Sequence, residues 1–312
     1  MKKQPKILVI GSFMVDLMSK SPHLPKPGQT VMGGPFHMGA GGKGSNQAIA
    51  AAKLGAEVEM VVSLGTDQFG DLALDALVQA GVGIEGVKRV SDESTGIALI
   101  IVDDLSGENM IVVAPGSNSL LDKDDVERVK GKMAEADCVV MQLEIPLETV
   151  EYAAKLAREA KTQIILDPAP GRPLPDGLLA NVDVLTPNED EAQIITGLEI
   201  NDLATAEKAA KALLARGPGA VVITLGGLGA LAVTEEETIH IPAFAVDTVD
   251  TTGAGDAFNG ALAAALAEKR SLAEACRFAA AAAALSVTKV GTSIAAPYRS
   301  EVEEFLRQQG GK

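Results

Sequence analysis

The chain has 312 residues, a formal net charge of −15 at pH 7 and a hydrophobic fraction of 47%. This composition is typical of a folded globular protein, and the length predicts about two domains. The acidic excess excludes a dedicated binder of nucleic acid or anionic membranes, because such proteins need surplus Lys and Arg. Two cysteines, Cys138 and Cys276, are too few for a disulfide framework or a four-ligand zinc site, which favours the reducing cytoplasm.

Short apolar runs alternate with helical stretches along most of the chain. The runs lack a polar alternation, as expected for strands covered on both faces. The predicted strands are Lys6–Phe13, Glu57–Leu64, Cys138–Leu143, Gln163–Leu166, Val182–Thr186 and Ala220–Leu225. The predicted helices are Gly44–Leu54, Phe69–Ala80, Pro146–Ala160, Thr205–Arg216, Ala254–Glu268, Ser271–Thr288 and Tyr298–Gln308. This order predicts parallel α/β units with right-handed crossovers.

Two segments interrupt the α/β rhythm. Residues 14–40 contain four prolines and no helical pattern, and residues 95–115 contain two predicted strands that turn at 105–108 as in a hairpin. Structureless loops of this length are uncommon in compact domains. We therefore expect residues 14–40 and 95–115 to form a small β-sheet, with two ordinary surface loops as the alternative. The larger α/β domain would comprise residues 1–13, 41–94 and 116–312.

The segment Asp250–Phe258 carries the strongest functional signal. It reads Asp-Thr-Thr-Gly-Ala-Gly-Asp-Ala-Phe and leads directly into a predicted helix. Gly253 and Gly255 allow a ligand to approach the backbone, and a helix N-terminus with free N–H groups binds anions. Asp256 in the first turn either stabilises the helix through its dipole or removes a proton from a hydroxyl that attacks a phosphoryl group.

The segment Gly39–Asn46 is rich in glycine and contains a G-x-G-x-x-G match. No clear strand precedes the match, so a dinucleotide site is a weak interpretation. Lys43 and Asn46 lie close together at a predicted helix start, where they could hold the hydroxyls of a polar substrate. A glycine-rich connection with a solvated lysine is the alternative.

Two later segments follow predicted strands. Asn188 and Glu191 have the spacing of a capping box, and the functional alternative is a site for phosphate-bound Mg²⁺, held mostly through water. Thr224–Gly229 fits either a nucleotide-binding loop or a plain turn. Asp16 and Glu144 also follow strands, and each could equally be a solvated acid at a strand end.

These segments occur together and in order, and with them the chain resembles the ribokinase/PfkB family of sugar kinases from Lys6 to about Leu306. The matching segments are Gly11–Asp16, Gly41–Ala48, Met141–Glu144, Asp167–Pro170, Thr186–Glu189, Ile223–Gly226 and Asp250–Phe258. The resemblance implies a three-layer αβα domain with a mainly parallel sheet and a small β-sheet lid. It also implies a kinase that transfers the γ-phosphoryl group of ATP to the 5-hydroxyl of D-ribose or 2-deoxy-D-ribose. A nucleoside or hexose kinase, or a sugar-sensing homologue without activity, remains the alternative.

The resemblance further implies residue roles. Asp256 would be the catalytic base, beside an anion hole of Gly253, Ala254 and Gly255. The sugar would contact Met14, Asp16, Gly42, Lys43, Asn46, Glu144 and Asp256. ATP would contact Asn188, Thr224, Gly226, Gly229, Gly255 and Ala280. Glu191 would hold Mg²⁺ through water, and a monovalent cation, usually K⁺, would be bound by Asp250, Thr252, Ser286, Lys289 and Gly291.

The lid would close over the sugar and contact a second subunit in a homodimer. One residue departs from the ribokinase pattern: Met14 stands where an asparagine is expected two residues before Asp16. The deoxyribokinase branch is similar here. Because a thioether cannot donate a hydrogen bond, we expect 2-deoxy-D-ribose to be accepted as well as, or in preference to, ribose.

Overall fold

Two β-sheets organise the chain in the computed structural model, which describes residues 4–310. Residues 1–3 and 311–312, assigned above to the larger domain, lie outside the described residues. In chain order the strands are β1 (Lys6–Ile10), β2 (Met14–Ser21), β3 (Phe36–Gly41), β4 (Glu57–Gly65), β5 (Val82–Val90), β6 (Ile97–Asp103), β7 (Asn109–Ala114), β8 (Cys138–Met141), β9 (Gln163–Leu166), β10 (Val184–Leu185), β11 (Ala220–Thr224), β12 (Ala230–Val233) and β13 (Thr238–Ile241).

Most of the helices connect these strands, and their caps explain several of their ends. Ser271 and Glu274 form a capping box, and Asp67 accepts a hydrogen bond from the N–H of Gly70. The helices are α1 (Lys43–Lys53), α2 (Gln68–Gln79), α3 (Lys123–Arg128), α4 (Lys130–Glu135), α5 (Leu147–Ala160), α6 (Asp176–Leu179), α7 (Glu189–Thr196), α8 (Leu203–Leu214), α9 (Ala254–Ala267), α10 (Leu272–Ser286) and α11 (Arg299–Gly310).

The larger sheet has nine strands in the order β13-β12-β11-β10-β9-β8-β1-β4-β5. All neighbouring pairs are parallel except β11–β12 and β12–β13 at one edge. In β1, Ile7 and Val9 pack into one hydrophobic cluster while Leu8 and Ile10 pack into another. Both faces of the sheet are therefore covered by helices, and the predicted three-layer α/β fold is confirmed.

The smaller sheet has four strands in the order β3-β2-β6-β7. β2 and β6 run parallel, while β2–β3 and β6–β7 are antiparallel. The predicted small sheet is confirmed, and the alternative of two surface loops is wrong. Because β3 ends at Gly41 and α1 begins at Lys43, the chain passes from this sheet into α1 within the glycine-rich segment.

Three expectations about local structure need correction. A strand does lead into the G-x-G-x-x-G match, because β3 begins at Phe36 and overlaps the first two glycines of the match; its first three residues are exposed, so they form no buried apolar run. β5 was not predicted, because its charged residues and glycines suit an edge strand and give no apolar run. The predicted strand Val182–Thr186 is only two residues long. Within residues 4–310, no helix has the length and apolarity needed to cross a membrane.

Candidate active site

Polar and charged side chains gather at the carboxyl ends of the central parallel strands, the edge where open α/β sheets bind ligands. The chain leaves β1, β8, β9 and β10 there through residues 11–13, 142–144, 167–170 and 186–188. The starts of α1 and α9 lie close together at the same edge, as the hydrogen bond from Asn46 to Asp256 shows. Residues that are far apart in sequence thus form one cluster.

Asp256 lies in the first turn of α9 and is only 6% exposed. Asn46 Nδ2 donates to its Oδ2 at 2.9 Å, and Gln47 Nε2 donates to its Oδ1 at 3.1 Å. A carboxylate oxygen offers two lone pairs, so each oxygen keeps one for a substrate hydroxyl. This arrangement suits a general base whose position is fixed before the substrate binds.

Gln47 is a site residue that the sequence analysis missed. Its Nε2 also donates to Asp167 Oδ2 at 2.7 Å, and its Oε1 accepts from Gln142 Nε2 at 2.7 Å. The side chain is fully buried, and the two carboxylates require the amide nitrogen to face them. A signal was present, because Gln47 lies four residues after Lys43 on the same helix face.

Glu144 closes the start of α1. Its Oε2 accepts the backbone N–H of Lys43 at 2.9 Å and a hydrogen bond from Ser12 Oγ. Ser12 Oγ in turn accepts the N–H of Gly44 at 3.3 Å. Since Gly42 at the N-cap has no side chain, Glu144 satisfies a free helix amide and is favoured by the helix dipole.

Lys43 is half-buried among carboxylates, so the alternative of a fully solvated lysine is wrong. Burial by itself lowers the pKa of Lys43. Nearby negative charges outweigh this effect and leave the pKa raised; the carboxylates are Asp256, Asp167, Glu144 and Glu191. The ammonium therefore remains charged at neutral pH and can meet an anionic group.

Met14 and Asp16 lie two residues apart on β2 and so point to the same face of the small sheet. Met14 is 3% exposed. A Cβ at Gly41, on the paired strand, would lie 2.3 Å from the Asp16 carboxylate, so a side chain at this position would displace that carboxylate. Burial raises the pKa of Asp16 to about 6, and repulsion from Glu144 and Asp256 adds to this.

Asn46 has one unused polar atom. Its Nδ2 serves Asp256, while its Oδ1 is buried with no hydrogen-bond partner within residues 4–310. An unpartnered buried acceptor costs about 1–3 kcal/mol. A substrate hydroxyl that donates to this oxygen would remove the cost, which fits a polyol ligand.

The start of α9 has the features of an anion site. Gly253 is the N-cap, with a left-handed φ of 75° that favours glycine. A Cβ at Gly255 would meet nothing within 4 Å, so the backbone there faces open space. The first amides of the helix lack intrahelical acceptors and lie at the positive end of the dipole.

The predicted nucleotide segments come together beside β10 and β11. Asn188 forms an isolated bridge with Thr224, and the N–H of Thr224 donates to Pro187 O at 3.0 Å. Gly226 opens a short 3₁₀ turn, and a Cβ on it would meet nothing within 4 Å. At Gly229 the constraint is steric, because a Cβ on this residue would collide with the carbonyl oxygen of Ile241. Ala280 lies half-buried on α10, which packs against β12 and β13.

The predicted capping box of α7 is confirmed. Asn188 Oδ1 accepts the N–H of Glu191 at 2.8 Å, and Glu191 Oε2 accepts the N–H of Asn188 at 2.9 Å. Burial raises the pKa of Glu191, and its hydrogen bond from Asn188 opposes this. Within residues 4–310, no group of three or more Asp, Glu, His or Cys side chains could form a metal cage.

Four of the five candidate monovalent-cation residues lie on two loops that Asp250 joins, and the fifth, Ser286, is the last residue of α10. Asp250 Oδ1 accepts the N–H of Thr252 at 2.9 Å, and its Oδ2 accepts the N–H of Gly291 at 3.0 Å. Burial alone would raise the pKa of Asp250, but these hydrogen bonds lower it. Ser286 Oγ donates to Ala283 O. The Lys289 ammonium pairs with Glu301, so Lys289 would face a cation through its backbone carbonyl.

A carboxylate beside an anion-binding helix start, at the ligand edge of an αβα sheet, is the arrangement of a small-molecule phosphotransferase. The sequence matches the description "pfkB family carbohydrate kinase" over residues 4–299. The chain therefore belongs to the pfkB family of carbohydrate kinases.

Curated relatives and a solved structure agree with this assignment. The chain is 43% identical to a ribokinase from Haemophilus influenzae over 300 residues, covering 96% of this chain and 98% of the relative. It is 36% identical to a deoxyribokinase from Salmonella typhi over 301 residues, covering 96% and 98%. It superposes on Arabidopsis thaliana ribokinase complexed with ribose and ATP with a TM-score of 0.90 and 34% identity, covering 98% and 99%.

Proposed function

We propose that the protein transfers the γ-phosphoryl group of ATP to the 5-hydroxyl of D-ribose, and that it accepts 2-deoxy-D-ribose as well or in preference. The observation that carries the proposal is the position of Asp256. It lies in the first turn of α9, next to the open backbone of Gly255, and its carboxylate accepts a hydrogen bond from the sugar-side residue Asn46. In the Arabidopsis relative the same fold is complexed with ribose and ATP.

In the proposed reaction, Asp256 takes the proton of the attacking hydroxyl while that oxygen bonds to the γ-phosphorus and ADP leaves. The amides of Gly253, Ala254 and Gly255 stabilise the transferring phosphoryl oxygens. The sugar is held by Asp16, Gly42, Lys43, Asn46 and Glu144. The nucleotide is held by Asn188, Thr224, Gly226, Gly229, Gly255 and Ala280.

Two cations complete the proposed site. Mg²⁺ usually binds one or two carboxylates, several waters and substrate phosphates, and Glu191 offers a carboxylate that is 8% exposed at the site. A monovalent cation such as K⁺ would bind between the loops that Asp250 joins, with oxygen donors from Thr252, Ser286, Lys289 and Gly291. Both would neutralise phosphate charge in a site rich in carboxylates.

An ADP-release assay with ribose, 2-deoxyribose, fructose and adenosine tests the proposal. We expect the two pentoses to give the highest kcat/KM. A higher kcat/KM with fructose or adenosine would show that the protein acts on a hexose or a nucleoside instead of a pentose. Sugar binding without ADP release would instead indicate a sugar-sensing protein, the reading that the position of Asp256 disfavours because a binder needs no base.

We further propose that the small sheet is a lid and that its outer face contacts a second copy of the chain. Strand register places one set of apolar side chains on the face opposite Asp16, each 47–63% exposed: Phe36, Met38, Leu99, Met110 and Val112. Exposed apolar patches of this kind mark association sites.

Sedimentation analysis tests the proposed dimer. Val112→Glu should dissociate the dimer to monomers. Val78→Glu, which changes an exposed residue of α2 away from the small sheet, is the control and should leave the dimer intact. A wild-type chain that sediments as a monomer at micromolar concentration would contradict the dimer but not the kinase. The compartment proposed for the protein is the cytoplasm, where the buried free thiols of Cys138 and Cys276 stay reduced.

A further inference from the structure

A chain of hydrogen bonds links Asp256 to the ends of two strands through the side chain of Gln47. Gln47 Nε2 donates to Asp256 Oδ1 at 3.1 Å and to Asp167 Oδ2 at 2.7 Å. Gln47 Oε1 accepts from Gln142 Nε2 at 2.7 Å. Gln142 follows β8 and Asp167 follows β9, which are neighbours in the larger sheet. Gln47 on α1 therefore connects the proposed base on α9 to two central strands.

Each amide in this chain has one favourable orientation. The carboxylate of Asp256 only accepts hydrogen bonds, so the nitrogen of Gln47 must face it. The oxygen of Gln47 then faces Gln142, which must offer its own nitrogen. An amide nitrogen carries two protons, and the two carboxyl groups use both protons of Gln47. Gln47 therefore has no donor left for a substrate.

The side chains of this chain are polar groups inside the core of the protein. Gln47 and Gln142 are fully buried, and Asp167 is only 4% exposed. Gln142 Oε1 is buried with no hydrogen-bond partner among residues 4–310, an arrangement that lowers stability. Apolar side chains of similar size would avoid this cost, so packing alone does not account for the amides.

Two glycines allow these parts of the chain to approach each other. A Cβ at Gly11, directly after β1, would collide with Gln142 Oε1. A Cβ at Gly260, one turn after Asp256 on α9, would lie 2.7 Å from the backbone carbonyl oxygen of Gln47. The backbones of α1 and α9 therefore pack closely at Gln47, and this packing brings its side chain to Asp256.

The direction of the Asp256 carboxylate matters for a general base, because one oxygen must face the hydroxyl that loses its proton. Asn46 and Gln47 each donate to a different oxygen of Asp256. One donor on each oxygen restricts rotation of the carboxylate about the Cβ–Cγ bond. A displacement of about 1 Å in a reacting group can lower a rate about a hundredfold, so this restriction favours catalysis.

We propose that Gln47 is a positioning residue for catalysis: held by Gln142 and Asp167, it fixes the direction of the Asp256 carboxylate. The proposal rests on the proposed function, since it needs Asp256 to act as the base. It concerns kcat, because Gln47 is not among the residues proposed to hold the sugar or ATP.

Gln47→Met and Gln142→Met test this role, because each variant keeps a side chain of similar length and removes the amide. Loss of a hydrogen bond to a charged group should lower the kcat of Gln47→Met about 10- to 100-fold. Loss of a bond between neutral amides should lower the kcat of Gln142→Met about three- to tenfold. The KM values for the pentose and for ATP should stay within about threefold, a split that a general structural defect would not produce.

A double variant tests whether Gln142 acts through Gln47. The hydrogen-bond path from Gln142 to Asp256 passes through Gln47, so Gln47→Met/Gln142→Met should have the kcat of Gln47→Met. Thr162→Val is the control for a lost buried hydrogen bond, because Thr162 Oγ1 donates to Met133 O at 2.8 Å at the other end of β9. It should lower the melting temperature and leave kcat unchanged.

The proposal is overturned if folded Gln47→Met keeps the wild-type kcat, or if its KM for the pentose rises as much as its kcat falls. Additive losses in the double variant would also overturn it. Where Gln47→Met does not fold, Gln142→Met decides, and a wild-type kcat in that variant overturns the proposal. A wild-type protein that phosphorylates no pentose would instead refute the proposed function, and near-normal turnover of Asp256→Asn would refute the assignment of the base.

Discussion

Met14→Asn is the perturbation that best separates the two proposed sugars. Met14 is 3% exposed, opens β2 and shares a face with Asp16, two residues later. A Cβ at Gly42 would lie 2.7 Å from the backbone nitrogen of Met14, so the two backbone segments pack tightly here. Under the proposed function, the side chain at position 14 therefore decides which chemical group a neighbouring sugar hydroxyl contacts.

The expected size follows from the chemistry of the thioether. A ribose 2-hydroxyl buried against Met14 loses a partner, at a cost of about 1–3 kcal/mol or about 5- to 150-fold in kcat/KM. 2-Deoxyribose lacks that hydroxyl and avoids the cost. Asparagine supplies a donor and an acceptor, so Met14→Asn should shift the ribose-to-deoxyribose ratio of kcat/KM toward ribose by about tenfold or more.

The assay is steady-state ADP release with both sugars at saturating ATP. Met14→Leu is the matched control, because it keeps an apolar side chain of similar volume and adds no hydrogen-bonding group. Its sugar ratio should equal that of wild type. A wild-type preference for ribose above about a hundredfold would refute the reasoning, as would equal ratios in the asparagine and leucine variants.

Three further predictions concern the rest of the site. Asp256→Asn should retain sugar and ATP binding in calorimetry but lose roughly 10²- to 10⁴-fold in kcat, since the base is gone; near-normal turnover would remove Asp256 from that role. Rates in K⁺ buffer should exceed those in Na⁺-only buffer, and identical rates would count against the cation site. Because the pKa of Asp16 is raised to about 6, kcat/KM for the sugar should fall as pH drops through about 6 and the carboxylate gains a proton. Asp16→Asn should have a low kcat/KM without that fall, and an unchanged profile would exclude Asp16 as its source.

The sequence predicted the fold where burial leaves a clear pattern. Strands such as β1 are covered on both faces, so their residues are apolar without alternation and were recognised. β5 lies at the sheet edge, where charged residues are tolerated, and it left no such pattern. Edge strands are set by tertiary pairing, which a local pattern does not contain.

The site was predictable only where the motif was already distinctive. Asp256 and Lys43 were singled out as candidates, and the structure places both in one polar cluster, but local spacing gave each an ordinary structural explanation as well. Glu191 shows that a structural and a functional explanation can both hold for one residue. It forms the predicted capping box, and it also lies close enough to Lys43 for that positive charge to lower its pKa against the effect of burial. Gln47 was missed although it lies four residues after Lys43, because that spacing becomes informative for a neutral amide only once Asp167 and Asp256 are known to face it.

The charge distribution of the site argues for cations in the proposed reaction. Lys43 is surrounded by carboxylates that raise its pKa, and Asp16 is repelled by two of the same groups. ATP would bring further negative charge to this edge of the sheet, and one ammonium with a helix dipole offsets only part of it. Under the proposed function, Mg²⁺ near Glu191 and a monovalent cation near Asp250 supply the remainder. An acidic chain can therefore bind an anionic substrate under the proposed function. The negative charge of the substrate is neutralised by groups inside the site, so no basic surface is needed.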